Sequence, residues 1–127
     1  MEAVLNQKRA KECEEFLKQV SKGKIKAFTS DFNLDSVVIT MGIKKAKSRD
    51  IAKFLMNVMA FEGLTIYSLD IVDRIIATKF MEKNNLDFDD AIVCFAARSL
   101  GLKKLVSFDS DFDNVPGIKR VEPISII

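Results

Sequence analysis

The chain has 127 residues, 48% of them apolar, and its 20 basic and 18 acidic residues give a net charge of +2. This length and composition predict one compact domain over residues 1–127. Because histidine is absent, imidazole-based triads and the usual zinc sites are excluded, so any catalysis has to rely on carboxylates, lysine or metal-bound water. The lack of a long apolar stretch and of a signal peptide predicts a soluble, cytoplasmic protein with no membrane partner.

The first half of the chain alternates helical and β-competent patterns. Apolar residues at helical spacing, including Val4 and Leu5, predict an amphipathic first helix. The predicted elements are a helix over Glu2–Val20, a strand over Ile25–Phe28, a helix over Asp31–Met41, a helix capped by Ser48, and a strand over Leu64–Tyr67. The core face predicted for the helix after Ser48 consists of Ile51, Phe54, Leu55, Val58 and Met59.

The second half continues the alternation. Its predicted elements are a helix over Asp70–Lys83, a helix from near Asp89 to Leu100, a strand over Leu105–Phe108 and a short edge strand over Ile118–Val121. Strands that alternate with helices predict an α/β sandwich with a mainly parallel sheet. The two cysteines, Cys13 and Cys94, lie far apart on apolar helix faces, which predicts reduced core residues.

Aspartates flank the last predicted helix and the strand that follows it. Asp89 and Asp90 fall in the first turn of the helix, where one aspartate is explained by capping, so Asp87 or Asp89 is expected to cap. Asp109 directly follows the predicted strand, at the edge where open parallel sheets bind ligands, although an aspartate there can also form a turn. Carboxylates gathered at such an edge are what a hard divalent cation requires.

Three further aspartates are open to two interpretations. Asp111 and Asp113 continue the loop after Asp109 and fit solvated or capping roles, with Asp111 the better candidate for a role around the cation. Asp35 lies within an otherwise apolar helix, so it either shares a cation with Asp90 and Asp109 or faces solvent on the polar side of the helix.

Several segments carry a family resemblance. They are Leu86–Ala91, Leu100–Leu102 and Leu105–Phe112, with Gly23–Ser30 upstream. Together they resemble the PIN-domain ribonucleases, which include the VapC toxins, over nearly the whole chain. The resemblance implies a three-layer α/β/α sandwich with a mainly parallel sheet. It also implies Mg²⁺- or Mn²⁺-dependent hydrolysis of RNA phosphodiesters, and a homodimeric toxin with an antitoxin protein as partner.

The resemblance assigns roles to individual residues. It implies that Asp35, Asp90 and Asp109 are catalytic and hold the metal, that Asp111 is a further ligand, and that the hydroxyl groups of Ser30 and Ser107 support the ligands. Two departures stand out. The family usually has glutamate where this chain has Asp35, and its first strand, with an aspartate, finds no counterpart after Met1. We therefore expect a chain that lacks the amino-terminal central strand, begins at an internal methionine and is inactive or weakly active.

A basic stretch lies between two predicted helices. Lys44, Lys45, Lys47 and Arg49 would contact RNA phosphates, or would form a solvated loop. Two other functions remain open: a catalytically degenerate PIN-like protein that binds RNA or protein, and a phosphoryl-receiver or nucleotide-binding domain. Nucleotide binding is disfavoured because the five glycines form no phosphate-binding loop.

Overall fold

A computed structural model describes the backbone of residues 2–127 and the side chains of residues 8–127. The helices are α1 (Glu2–Ser21), α2 (Asp31–Ile43), α3 (Ser48–Met59), α4 (Ile71–Asn84) and α5 (Phe88–Ser99). The strands are β1 (Ala27–Ser30), β2 (Leu64–Tyr67), β3 (Lys104–Val106) and β4 (Lys119–Val121), with 3₁₀ turns at Ser110–Asn114 and Pro123–Ser125. The predicted α/β class is confirmed, while the predicted apolar positions Val4 and Leu5 lie outside the described side chains.

The strands of residues 2–127 form small sheets. β1 pairs with β2, and β3 pairs with β4, which makes two two-stranded sheets. β3 and β4 run parallel, with Leu105 opposite Arg120. Each strand has only three or four residues. Each two-stranded pair is therefore smaller than the single, mainly parallel sheet that was predicted. The predicted loss of a first strand stays a prediction.

The chain divides into two compact units. One unit comprises the chain up to Ile66 together with the last residue, Ile127. The other unit comprises Tyr67–Ile126. The predicted single domain over residues 1–127 stays a prediction. Within residues 2–127, no helix has the length and apolar character that a membrane crossing requires.

Helix starts in the two units follow from local hydrogen bonding. Ser30 caps α2, because its side chain accepts a hydrogen bond from the Asn33 N–H. In α4, Asp70 and Asp73 form a reciprocal capping box. The predicted cap at Ser48 is wrong: this residue is the first of α3, and no side-chain cap precedes it.

The core face predicted for α3 is only partly covered. Val58 is buried, but Leu55 is 41% exposed and Met59 is 79% exposed. Placing these two residues in the core was therefore wrong. Helical spacing identifies an apolar face, but it does not say how much of that face another element covers.

The second unit has one cluster of buried apolar side chains. It consists of Leu86, Ala91, Cys94, Ala97, Phe112, Val115 and Ile118. The helix α5 packs against α4, where Phe80 and Phe95 meet edge to face with ring centroids 6.4 Å apart. Both cysteines are free thiols, with Cys94 buried and Cys13 partly buried. This cluster fixes the start of α5 relative to the loop after β3.

Candidate metal centre

Two aspartates are brought together by the core residues that follow them. Asp90 directly precedes Ala91, and Asp111 directly precedes Phe112. Ala91 and Phe112 belong to the same buried cluster, so their packing draws the start of α5 and the Ser110–Asn114 turn towards each other. The hydrophobic core thus gathers the carboxylates at its edge.

The carboxylates form two overlapping groups that share Asp90. In one group, oxygens of Asp90, Asp109 and Asp111 all lie within 4.8 Å of one another. In the other group, the same limit holds for Asp87, Asp89 and Asp90. The structure therefore brings together three of the four predicted ligands: Asp90, Asp109 and Asp111.

The capping role expected of Asp87 or Asp89 is met by the position of Asp87 but not by a side-chain hydrogen bond. Asp87 occupies the N-cap position of α5, but its side chain makes no capping hydrogen bond. Asp89 lies in the first turn, exposed, and its carboxylate joins the acidic group around Asp90. The prediction that Asp87 caps the helix is thus confirmed for its position, whereas the side-chain hydrogen bond that such a cap usually makes is missing.

The loop after β3 is held by its own side chains. The Asp109 N–H donates to the Ser107 hydroxyl at 3.0 Å, and the Asp111 N–H donates to Oδ1 of Asp109 at 2.9 Å. The latter bond turns the chain back so that Asp111 stays beside Asp109. Ser107 therefore contacts the backbone of Asp109, while the supporting role that the resemblance implied for its hydroxyl stays a prediction.

The charges in this region are unbalanced. The pKa of Asp90 is raised, first by burial and then by the negative charges of Asp89, Asp109, Asp111 and Asp87. A negative charge close to a carboxyl group disfavours the ionised form of that group. A divalent cation would relieve that repulsion, and carboxylate oxygens are the ligands that Mg²⁺ and Mn²⁺ prefer. The donor set thus fits such an ion.

Asp113 has a partner that sequence reasoning missed. Nε of Arg120 lies 2.6 Å from Oδ1 of Asp113, so Asp113 is ion-paired, and its side chain stays 48% exposed, as the solvated interpretation expects. Arg120 also reaches Glu122 at 3.3 Å. The only signal in the sequence was an arginine in a predicted edge strand, and that signal alone does not identify its partner.

The remaining predicted residues lie in the first unit. Asp35 on α2 is exposed, as the solvent-facing interpretation expects, and its role as a metal ligand stays a prediction. Ser30 is buried, and its hydroxyl bonds with Asn33. The basic residues Lys44, Lys45, Lys47 and Arg49 are all exposed where α2 ends and α3 begins.

A comparison with protein families agrees with this geometry. A family model described as PIN domain matches residues 1–118. The chain belongs to the PIN-domain family. This PIN domain thereby falls in a superfamily of nucleases whose members typically use divalent metals, and its acidic groups lie within the matched residues. No curated protein and no solved structure matches the chain.

Proposed function

We propose that this PIN domain is a Mg²⁺- or Mn²⁺-dependent endoribonuclease that hydrolyses RNA phosphodiesters. The observation that carries the proposal is the group formed by Asp90, Asp109 and Asp111, whose oxygens lie within 4.8 Å of one another. The pKa of Asp90, which is raised first by burial and then by the neighbouring negative charges, supports it, because carboxylates crowded in this way repel one another until a cation neutralises them.

The proposal assigns a role to each predicted ligand and to the two serines. Asp90 and Asp109 hold the cation, and Asp111 is a further ligand. A bound cation neutralises phosphate charge and lowers the pKa of water, which supplies a nucleophile at neutral pH. Asp35 is proposed as a ligand from the family resemblance alone. The Ser107 hydroxyl accepts a hydrogen bond from the Asp109 N–H at 3.0 Å and so supports Asp109. Ser30 is proposed for a similar supporting role.

The substrate is proposed to contact the exposed basic stretch. Lys44, Lys45, Lys47 and Arg49 make no ion pair with a carboxylate among the described side chains. Unpaired cations are available to phosphate oxygens, and binding through them releases counterions. We therefore expect the affinity for RNA to fall steeply with salt, and to fall less steeply once these residues are replaced by glutamine.

The proposal extends to a toxin with an antitoxin partner and to a cytoplasmic homodimer. Self-association is supported by one face of α4, where Ile71 is 71% exposed and Val72 and Ile75 are also exposed. Exposed apolar faces of this kind mark interaction sites. Ile71→Lys with Ile75→Lys should convert a dimer into a monomer in light scattering, and a small neighbouring gene for a DNA-binding protein would support the toxin role.

The alternative is a catalytically degenerate PIN-domain protein that binds RNA or a protein. The observation favouring it is Asp35, which stands where the family usually has the longer glutamate. A shorter side chain holds its carboxylate about one methylene farther from a shared cation. This alternative retains the fold and the basic stretch but lacks metal-dependent cleavage.

The test combines metal binding with cleavage. Mn²⁺ binding is followed by electron paramagnetic resonance, and cleavage is followed on single-stranded and structured RNA. Asp90→Asn and Asp109→Asn should each weaken Mn²⁺ binding at least about tenfold and abolish cleavage. The matched control is Asp50→Asn, which removes an exposed aspartate from the first turn of α3 and belongs to neither acidic group.

Three results separate the candidates. Mn²⁺ binding and cleavage that are lost in both variants but kept in Asp50→Asn support the nuclease. RNA binding without Mn²⁺-dependent cleavage supports the binding module. Mn²⁺ binding that is unchanged in Asp90→Asn and Asp109→Asn contradicts the metal centre.

A further inference from the structure

Arg120 on β4 makes contacts to both sides of the loop that follows β3. Its Nε and Nη2 lie 2.6 Å and 3.4 Å from the two carboxylate oxygens of Asp113. Its Nη1 donates to the main-chain carbonyl of Ser107 at 3.2 Å and to Glu122 at 3.3 Å. The Arg120 side chain is 19% exposed; its bonds to Ser107 and Glu122 are partly buried, whereas those to Asp113 lie at the surface. Arg120 thus joins two points of one loop through a planar, pre-organised group.

These two points enclose the acidic loop residues. Ser107 lies two residues before Asp109, and Asp113 lies two residues after Asp111. Between them, hydrogen bonds link Ser107 to Asp109 and Asp109 to Asp111. The base of the loop is fixed as well, because the Ser107 N–H donates to the Val121 carbonyl at 3.0 Å. Arg120 therefore joins the two ends of the segment that carries Asp109 and Asp111.

We infer that Arg120 is a positioning residue, which holds Asp109 and Asp111 beside Asp90 by tying Ser107 to Asp113. The inference rests on the proposed metal-dependent function. It adds a residue that lies beyond residues 1–118, the span of the family match. Partners that orient metal ligands typically change metal affinity 10- to 100-fold when they are removed, as an order of magnitude.

The sign of the effect distinguishes positioning from simple electrostatics. Arg120 carries a positive charge near the acidic groups, and by Coulomb's law its removal alone should strengthen the binding of a cation. Loss of positioning has the opposite effect, because Asp109 and Asp111 then have to be ordered when the cation binds. Weaker binding after the charge is removed therefore cannot come from the charge itself.

The experiment measures Mn²⁺ affinity by electron paramagnetic resonance, at a temperature well below the melting temperature of each metal-free variant. Arg120→Met should weaken Mn²⁺ binding roughly tenfold, and Arg120→Lys, which keeps the charge but loses the planar fork, about threefold. The matched control is Lys119→Met, which removes the same charge from the neighbouring position of β4. It should leave Mn²⁺ affinity unchanged or slightly raised.

A second pair of variants tests the same tie from the loop side. Asp113→Asn breaks the contact to the loop, whereas Glu122→Gln removes an equal charge that contacts Arg120 from the end of β4. Asp113→Asn should weaken Mn²⁺ binding several-fold more than Glu122→Gln. This pair keeps the inference testable if Arg120→Met fails to fold.

The outcomes are distinct. If the natural chain does not bind Mn²⁺, the proposed function fails, and this inference fails with it. If the natural chain binds Mn²⁺ but Arg120→Met binds it equally well or more tightly while its melting temperature falls, Arg120 is merely structural and only the inference is overturned. Equal effects of Asp113→Asn and Glu122→Gln would also overturn it.

Discussion

Asp90 and Cys94 lie one helical turn apart on α5, and the charge of Asp90 adds to the burial that raises the pKa of the Cys94 thiol to about 11. Arg98, one further turn along, acts in the opposite direction but does not cancel the two larger effects. The acidic edge and the buried core therefore influence each other through one helix. Cys94 stays a protonated, apolar core residue at neutral pH.

The first prediction concerns thiol reactivity. At pH 8, a thiol with a pKa of about 11 has roughly a hundredfold less thiolate than one at the ordinary value, and Cys94 is also fully buried. We expect a thiol reagent to label Cys13 rapidly in the native protein and Cys94 only after unfolding. Cys13→Ala should remove the rapid phase and Cys94→Ala should retain it, whereas equal rates for the two thiols would contradict the prediction.

The second prediction is that removing a charge from the acidic groups stabilises the metal-free protein. The folded-state pKa of Asp90 is raised, so ionised Asp90 destabilises the fold above that pKa. Asp90→Asn should raise the metal-free melting temperature at pH 7 by about 2 °C. The gain should shrink as the pH falls through the raised pKa, because Asp90 then becomes neutral. Asp113→Asn, which breaks the pair with Arg120, should instead lower the melting temperature.

The third prediction concerns the pH dependence of metal binding. Protons and cations compete for Asp90, and the raised pKa means that protons win at a higher pH than at an ordinary aspartate. Mn²⁺ affinity should therefore fall on acidification before isolated aspartates titrate. Calorimetry at a series of pH values should show that Mn²⁺ binding releases protons at pH values near the raised pKa of Asp90. An affinity that stays flat until ordinary aspartates titrate would contradict the role of Asp90.

The fourth prediction concerns the link between the core and the loop. Phe112 is 4% exposed and lies between Asp111 and Asp113. Phe112→Ala should cost about 3 kcal/mol or more in the free energy of unfolding and lower the melting temperature by roughly 10 °C. Ile124→Ala, at a 54% exposed position of the same unit, should cost less than about 0.5 kcal/mol. Similar losses in both variants would mean that Phe112 is not an anchor.

Some features of this site could be predicted from the sequence because they depend on local spacing. Asp90 could be placed at a helix start and Asp109 after a strand from apolar periodicity and turn residues. The contacts of Arg120 could not, since a loop ion pair depends on how the chain turns back after Asp113. The exposure of Met59 was missed for a similar reason, because periodicity shows which face is apolar and not what covers it.

The carboxylates that gather around Asp90 come from two kinds of backbone. Asp90 stands at the start of a helix whose following residues are buried, whereas Asp109 and Asp111 belong to a short turn held by hydrogen bonds. Mg²⁺ demands a near-ideal octahedron, and larger cations tolerate looser shells. Since the turn supplies two of the three carboxylates in the group with Asp90, we expect changes to the turn to alter the preference between Mg²⁺ and larger cations such as Ca²⁺, which competition between the two ions for Mn²⁺-loaded protein would measure.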